Sequence, residues 1–201
     1  MATMTRNKDE TRQRILDAAL ALAGTEGFAA LGINAVARAA GADKQLIYRY
    51  FGGLEGLLAA LGADVAQRMA AALAPALDPK PKTYAALAEA LALALYDQMR
   101  ADPMYRQLRL MEASAPSPAT DAFRAARGQA LGAWVIAARQ GLALPEGIDI
   151  PALNALIIAA VEGAAILGPV GMEAGTDAAR ARLLPELRRV IVAAYGGARG
   201  G

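Results

Sequence analysis

The stretch INAVARAAGADKQLIYRYF, residues 33–51, contains two short helical patterns separated by a glycine. Apolar side chains recur on one side of the first pattern: Ile33, Val36, Ala37 and Ala40. Gly41 can adopt the positive φ that ends a helix in a tight turn, and Asp43 can cap the helix that follows. In that second helix Ile47 and Phe51 are four residues apart, so they face inward together. The pattern is helix, turn, helix, and it predicts a helix-turn-helix unit.

The second helix of this unit carries polar side chains of the types that bind DNA. Arg49 can donate paired hydrogen bonds to guanine, and Gln45 can pair with adenine. Lys44 suits a phosphate or a guanine, and the Tyr48 hydroxyl suits a phosphate. Each residue alone would fit an ordinary solvated helix face. Their combination after a glycine turn favours a helix that enters the DNA major groove.

The distribution of charge agrees with this interpretation. The chain has 21 basic and 19 acidic residues, and seven of the basic and five of the acidic ones lie within residues 1–51. The remainder of the chain is therefore neutral, and the positive excess is confined to the end with the helix-turn-helix pattern. This asymmetry indicates an anionic partner for that end. A basic architectural DNA-binding protein is a poorer interpretation, because a net charge of +2 is small.

The composition excludes much enzyme chemistry, because the chain has no cysteine and no histidine. Disulfides, the usual zinc sites and nucleophiles paired with histidine are therefore absent. The carboxylates are scattered, and we predict no catalytic residue, no metal site and no cofactor.

The polar start MATMTRNKDETRQR does not resemble a signal peptide, so we expect a cytoplasmic protein without membrane contact. The apolar stretch ALIIAAVEGAAILG from Ala155 is interrupted by a glutamate and predicts a buried helix.

Apolar residues recur at helical spacing in the rest of the chain, and no stretch shows sustained alternation, so we predict an all-α fold. Four helices are expected in the first part of this region: one with an apolar stripe from Ile15 that ends at Gly24, one from Leu54 to Leu73, one from Tyr84 to Met99 with Thr83 as its cap, and one that begins at Asp102-Pro103. Three more are expected after it: one that begins at Ser117-Pro118 and ends at Gly141, one from Asp149 to about Leu167, and one from about Asp177 to Tyr195. Pro185 should kink or divide the last of these. The predicted domains are a helix-turn-helix domain at 1–52, a helical body at 53–195 and a disordered tail at 196–201.

The body is rich in methionine and aromatic side chains, which predicts a pocket for a small hydrophobic or aromatic effector. At any single position, membership of the core is the more common role of such a side chain. The residues predicted to line the pocket are Tyr96, Met99, Met111, Trp134 and Glu162. Glu162 lies in the apolar run AAVEGAA, where a charge is costly unless it is paired. It could bind a ligand amine, or it could pair with Arg188 or Arg189 across an interface, and we favour the second role.

Small residues recur every four positions near the end of the chain, at Ala160, Ala164 and Gly168. Such rows let helix backbones approach closely. Together with the apolar stripe of the final helix, they predict a homodimer through the last two helices. A dimer would set two recognition helices about one DNA turn apart, or a multiple of it, on a palindromic double-stranded operator.

Residues 10–58, ETRQRILDAALALAGTEGFAALGINAVARAAGADKQLIYRYFGGLEGLL, resemble the DNA-binding domain of the tetracycline-repressor (TetR/AcrR) family. The resemblance rests on Thr11-Arg12, Ile15-Leu16, Ala18-Ala19, Gly27-Phe28, Val36-Ala37, Ala40-Gly41, Ile47-Tyr48, Phe51, and Glu55 before Leu57-Leu58. It implies a homodimeric transcriptional repressor, with a three-helix DNA-binding head on a helical ligand-binding body. It places Lys44, Gln45, Tyr48, Arg49 and Tyr50 at DNA-facing positions. We expect Arg6, Lys8 and Arg12 to add phosphate contacts.

The sequence departs from the family pattern at three positions that usually contact phosphate or cap a helix. Gly32 stands where the family usually has threonine, Asp43 where it usually has serine, and Leu54 where it usually has lysine. Each lost phosphate contact should lower the salt dependence of binding, which scales with roughly 0.9 ions per phosphate. We therefore expect weaker non-specific DNA binding than is usual in the family. The alternative is a helical enzyme, or a small-molecule carrier or sensor, that keeps a degenerate head.

Overall fold

The computed structural model describes residues 2–114, 116–168, 173–174 and 176–196, with side chains from residue 7 to residue 195. These ranges contain nine α-helices, two short 3-10 helices and no strand, so the all-α prediction is confirmed. The helices are α1 (Ala2–Glu26), α2 (Ile33–Ala39), α3 (Lys44–Phe51), α4 (Leu54–Leu73), α5 (Tyr84–Ala101), α6 (Pro103–Ser114), α7 (Pro118–Ala138), α8 (Ile150–Leu167) and α9 (Asp177–Gly196). The 3-10 helices are Phe28–Ala30 and Ala74–Leu77. Residues 197–201 of the predicted tail lie outside the described residues.

Several helices begin at the predicted caps. Thr83 Oγ1 accepts a hydrogen bond from Ala86 N at 3.1 Å, and Asp149 Oδ1 accepts one from Ala152 N at 3.0 Å. Helices α6 and α7 begin at their predicted prolines. Such side-chain acceptors satisfy amide groups that have no partner within the first turn, which explains why these starts can be read from sequence.

Two helix ends and the interior of one helix differ from the sequence-based expectation. Helix α1 continues through Gly24 to Glu26, and α7 ends at Ala138, before the positive-φ turn at Gly141. Helix α9 contains Pro185 and is not divided by it. Glycine and proline lower helix stability locally, but packing of the flanking apolar residues can outweigh that cost.

The chain forms two compact units, each built from two chain segments. The first unit comprises Met1–Ala70 and Met104–Trp134, and the second comprises Ala71–Pro103 and Val135–Gly201. This division differs from the predicted boundary after residue 52, because the first unit also includes α6 and most of α4 and α7. A sequence reading assigns boundaries along the chain, whereas packing joins segments that are distant in sequence.

The core of the first unit is formed by apolar side chains from α1, the 3-10 helix Phe28–Ala30, α2, α3 and α4. Ile15, Val36 and Ile47 are fully buried. The ring of Phe28 lies against that of Phe123, with centroids 4.9 Å apart. A Cβ added at Gly62 of α4 would overlap the carbonyl oxygen of Phe123, so the backbones of α4 and α7 are in contact. This packing supports the helix-turn-helix.

In the second unit, α5 packs against α8 and α9. Asn154 of α8 donates a hydrogen bond to the hydroxyl of Tyr84 at 2.9 Å, and it accepts one from the hydroxyl of Tyr195 at 2.5 Å. The rings of the two tyrosines also meet, with centroids 5.1 Å apart. Asp97 accepts two hydrogen bonds from Arg180, at 2.6 and 2.7 Å, and this contact lowers the pKa of Asp97. These polar contacts fix the three helices to one another.

Few residues of helix α8 are buried within one chain, which contradicts the prediction of a buried helix. Its residues Ile157, Val161 and Ala165 are buried, but they are only 17% of the helix. Leu156 is 68% exposed, and Leu167 is 77% exposed. By length and composition alone, α8 and the segment Leu54–Leu77 could each cross a membrane. The prediction failed because an apolar pattern shows that a surface avoids water, but it does not show whether the same chain covers that surface.

Candidate nucleic-acid interface

The turn between α2 and α3 has the predicted geometry. Gly41 has a φ of 56°, where a side chain would be strained. The amide of Ala42 donates to the carbonyl of Ala37 at 2.9 Å, which closes the end of α2. Asp43 Oδ1 then accepts a hydrogen bond from Gln45 N at 2.8 Å and caps α3. The turn therefore fixes the direction in which α3 leaves α2.

Helix α3 separates buried from exposed residues sharply. Ile47 is fully buried, as predicted, and Phe51 is half-buried. The exposed residues are Lys44, Gln45, Tyr48 and Arg49, with 56% of Tyr48 accessible to solvent. A polar and basic surface of this kind, on the second helix of a helix-turn-helix, can reach base edges and phosphates. The contacts of these residues with DNA remain predictions.

Helix α1 brings cations to the rings of α3. Lys8 Nζ lies 5.9 Å from the centroid of the Tyr50 ring, and Arg49 Cζ lies 6.0 Å from it. Arg12 Cζ lies 5.3 Å from the centroid of the Phe51 ring. These distances are within the range of cation–π attraction. The structure thus groups Lys8, Arg12, Arg49 and Tyr50, whereas the side chain of Arg6 lies outside the described residues.

The three departures from the family pattern have structural correlates. Gly32 precedes α2 and provides no side-chain cap, as its lack of a side chain requires. Asp43 does cap α3, so this substitution keeps the capping role. Leu54 begins α4, where it is half-buried. An apolar side chain there cannot neutralise a phosphate, so the expectation of weaker non-specific binding stands as a prediction.

The end of α3 is joined closely to α4. The connection is Gly52 and Gly53, with φ values of 77° and 132°. A Cβ added at Gly56 in the first turn of α4 would overlap the carbonyl oxygen of Phe51. The two helices therefore meet backbone to backbone. A displacement of the first turn of α4 would move the end of α3 directly.

Sequence reasoning missed a buried ionic cluster in the first unit. Glu112 of α6 is 1% exposed and forms ion pairs with three arginines: Arg109, Arg124 and Arg127. Arg127 is also buried, and it donates to the hydroxyl of Tyr105 at 3.2 Å. The spacing of three residues between Arg109 and Glu112 on α6 is a weak sequence signal for one of these ion pairs. The two other arginines come from α7, and no sequence pattern shows that α6 and α7 are paired.

The residues predicted to line an effector pocket are divided between the two units. Tyr96 and Met99 are buried in the second unit, where Glu162 is half-buried. Met111 and Trp134 are half-buried in the first unit. The Tyr96 hydroxyl is buried and has no hydrogen-bond partner among the described residues. In the same ranges, no three acidic side chains lie close enough together to hold a metal ion.

The alternative partners predicted for Glu162 are engaged elsewhere within one chain. Arg188 Nε lies 2.5 Å from Glu89 Oε1, and Arg189 pairs with Glu186 at 2.9 Å. A pairing of Glu162 across an interface between two copies stays a prediction.

Comparison with known families identifies the helix-turn-helix. Residues 15–61 match the model of bacterial regulatory proteins of the tetR family, a range that includes α2, α3 and the start of α4. The match identifies this segment as a tetR-type DNA-binding segment. No curated protein sequence matches it.

The TetR fold extends over nearly the whole chain. GusR of Salmonella enterica is 18% identical, with a TM-score of 0.65, and the alignment covers 93% of this chain and 96% of GusR. The fatty acid degradation regulator FadR from Bacillus halodurans is 16% identical, with a TM-score of 0.60 and coverage of 95% and 97%. SmeT, solved in complex with triclosan, is 20% identical, with a TM-score of 0.58 and coverage of 92% and 91%. At these identities the similarity shows a shared fold.

Proposed function

We propose that this protein is a TetR-family regulator, a homodimeric transcriptional repressor that a small hydrophobic or aromatic effector releases from a palindromic operator. The observation that carries the proposal is the outer face of α3. Lys44, Gln45, Tyr48 and Arg49 are exposed together on a short helix that a capped turn and a buried Ile47 hold in place. Water can solvate such a face, but the combination of amide, phenol and guanidinium fits base edges and phosphates.

Tyr50 has a supporting role in this proposal. Its ring lies beside both Lys8 and Arg49, so it can hold the two cations on one side of the helix-turn-helix. Lys8 then serves a phosphate, and Arg49 serves a guanine in the major groove. Arg12, which lies over Phe51, is placed to add a second phosphate contact from α1.

The dimer is proposed to form through α8 and α9. The exposed apolar side chains on these helices include Leu156, Ile158, Leu167, Val190 and Val192. Burial of such surface contributes roughly 25 cal/mol per Å², so a second copy that covers it would be stabilised. A two-fold dimer would present two α3 helices to successive major grooves of a palindrome.

The effector is proposed to bind in the helical body and to act on α4. The buried hydroxyl of Tyr96 supports a polar anchor there, because buried polar groups nearly always have a partner. SmeT is described in complex with triclosan, and a ligand of comparable apolar character would suit Tyr96 and Met99. Movement of α4 would reach α3 through the contact of Gly56 with Phe51. A working switch requires a coupling free energy of about 1–3 kcal/mol.

The test is in vitro selection of random duplex DNA by the full-length protein, by Arg49→Ala and by the control variant Lys82→Ala. Lys82 is exposed outside the helix-turn-helix, so its replacement removes one charge without altering the proposed interface. We expect enrichment of a palindrome, with preference lost by Arg49→Ala at one symmetric base pair and retained by Lys82→Ala. Such a contact is worth about 1–3 kcal/mol of discrimination. Absence of enrichment at low salt would reject the repressor and favour a small-molecule carrier with a degenerate head.

A further inference from the structure

The first unit contains an open groove of about 810 Å³. Its walls are the 3-10 helix with Phe28 and the following Leu31, the first two turns of α4 with Leu54 and Leu58, and the segment from Pro116 to Ala122. Small-molecule sites usually measure about 300–1,000 Å³. None of the five residues predicted to line the effector pocket lies in this groove. It is therefore a different candidate site.

The lining is apolar apart from Glu55 and Ser117. Ser117 is engaged within its own turn, since its hydroxyl accepts a hydrogen bond from Thr120 N at 3.2 Å and lies 2.8 Å from Thr120 Oγ1. Glu55 is exposed, and among the described residues it has no ion pair or hydrogen bond. The groove thus presents one unpaired carboxylate beside an apolar wall.

The surroundings of the groove do not favour an anion. The starts of α4 and α7 both face it, and each helix start carries about half a positive charge. However, Pro118 has no amide hydrogen, and the amides of Thr120 and Asp121 are bonded to Ser117. The basic residue Arg124 lies about 200° around the axis of α7 from Ala122, at roughly 3.6 residues per turn. Two amides at the start of α7 are therefore engaged, and at the start of α4 the Glu55 carboxylate would repel an anion.

We propose that this groove binds a small apolar cation. Glu55 would pair with its positive charge, while Phe28, Leu31 and Leu58 would cover its apolar body. The site lies beside Gly56, whose backbone touches the Phe51 carbonyl at the end of α3. Occupation of the groove would therefore displace α4 at its joint with α3 and weaken DNA binding. This last consequence rests on the proposed function, whereas the binding site itself does not.

The test uses tetraphenylphosphonium and tetraphenylborate, which are nearly equal in size and shape and opposite in charge. Equilibrium dialysis measures their binding to the full-length protein, to Glu55→Gln, to Ala119→Phe and to the control variant Glu146→Gln. Ala119 lines the groove, so phenylalanine there would fill it, whereas Glu146 is an exposed acid outside the groove. Circular dichroism checks that each variant is folded. Because Glu55 is exposed, Glu55→Gln should fold even if Ala119→Phe does not.

We expect one saturable site for the cation, at least tenfold weaker binding of the anion, and a loss of about fivefold in Glu55→Gln, as for a solvent-exposed ion pair. Glu146→Gln should bind like the unmodified chain, and Ala119→Phe should not bind. Equal binding of the two probes, or unchanged affinity in Glu55→Gln, would overturn the proposal, as would the absence of saturable binding.

A second measurement separates the groove from the proposed function. DNA selected by the unmodified protein is titrated with and without the cation, and we expect the cation to lower the affinity. Binding of the cation without an effect on DNA would reject the regulatory consequence and leave the site in place. If no DNA sequence is selected, the proposed function fails, and the dialysis result still decides whether the groove binds a cation.

Discussion

Helices α3 and α8 each present an outer face that their own chain does not cover, and the two faces differ in chemistry. The face of α3 is polar and basic, with Lys44, Gln45 and Arg49 exposed. The face of α8 is apolar, with Leu156 and Leu167 mostly accessible. Water solvates the first at little cost, whereas it is excluded from the second by the hydrophobic effect. A partner of α3 can therefore bind reversibly, whereas a partner of α8 should stay bound.

The two helices also differ in the contacts that fix them to neighbouring helices. Helix α3 is held by the fully buried Ile47, by the Asp43 cap and by the contact of its end with Gly56, and among the described residues no side-chain hydrogen bond joins it to another helix. Helix α8 is fixed to α5 and α9 by the hydrogen bonds of Asn154 with Tyr84 and Tyr195. A helix with few anchors can shift when its partner or an effector binds. A helix fixed by a hydrogen-bond network suits a constant interface.

The largest effect is expected from a charge placed on the apolar face of α8, which tests whether a second copy covers that face. Leu156→Glu should weaken the dimer by about 1,000-fold or more, equivalent to about 4 kcal/mol, because the charge occurs twice at a two-fold interface and must be desolvated. Sedimentation velocity over a range of concentrations measures this change. The matched control is Leu110→Glu, an equally drastic substitution at an exposed leucine of α6. If Leu156→Glu sediments like the unmodified chain, the face of α8 has a different occupant.

The buried support of α3 can be tested separately from its exposed polar face. Ile47→Ala should lower the free energy of unfolding by about 2–5 kcal/mol, because it removes a fully buried side chain. The neighbouring Tyr48→Ala removes an exposed ring and should change stability by only about 0.5 kcal/mol. Urea denaturation followed by the fluorescence of Trp134, the single tryptophan, measures both. Equal losses in the two variants would show that α3 is not anchored by Ile47.

The same contrast explains how much the sequence could predict. The helix-turn-helix was predictable because its signals are local: Gly41 for the turn, Asp43 for the cap, and Ile47 for the inward face. The interface that the small-residue row of α8 indicates stays a prediction. The exposure of α8 was not predictable, since an apolar pattern does not identify the surface that covers it.

The features that sequence reasoning missed depend on contacts between distant segments. The ion pairs of Glu112 with Arg124 and Arg127 require that α6 and α7 pack together. Likewise, Lys8 and Tyr50 were both predicted to contact DNA, but nothing in their spacing showed that one lies over the ring of the other.

The salt concentration should affect DNA binding through the face of α3 and dimerisation through the face of α8 differently. DNA binding through Lys8, Arg12 and Lys44 releases counterions, with a slope of roughly 0.9 per neutralised phosphate. Three such contacts in each of two copies predict a loss of about 1,000-fold in DNA affinity between 50 and 200 mM salt, and a contact from Arg6 would increase this loss. Dimerisation through an apolar face should not weaken over this range. Lys44→Ala should make the slope shallower by about two in the dimer. An unchanged slope would show that Lys44 does not contact phosphate.

The smallest effect is expected from a change in the hydrogen-bond network of Tyr84, Asn154 and Tyr195, which fixes α8. Burial, with the nearby Tyr84 as a second cause, raises the pKa of Tyr195 to about 12 from an ordinary value of 10.0. Between pH 10 and 12 the unfolded chain releases this proton and the folded chain keeps it, so this group makes stability fall as the pH rises through that window. Tyr195→Phe should cost about 1 kcal/mol at pH 8, where its hydrogen bond to Asn154 is lost.

Because the phenylalanine cannot ionise, the unfolding free energy of the unmodified chain should fall relative to that of Tyr195→Phe as the pH rises from 10 to 12. Urea denaturation at a series of pH values measures it. Tyr48→Phe is the control, because the Tyr48 side chain is exposed and its hydroxyl forms no hydrogen bond within the described part of the chain. A difference that stays constant with pH would show that Tyr195 is not held in its neutral form. In that case the hydroxyl of Tyr195 would be open to solvent in the folded chain, and its hydrogen bond to Asn154 would not help to fix α8.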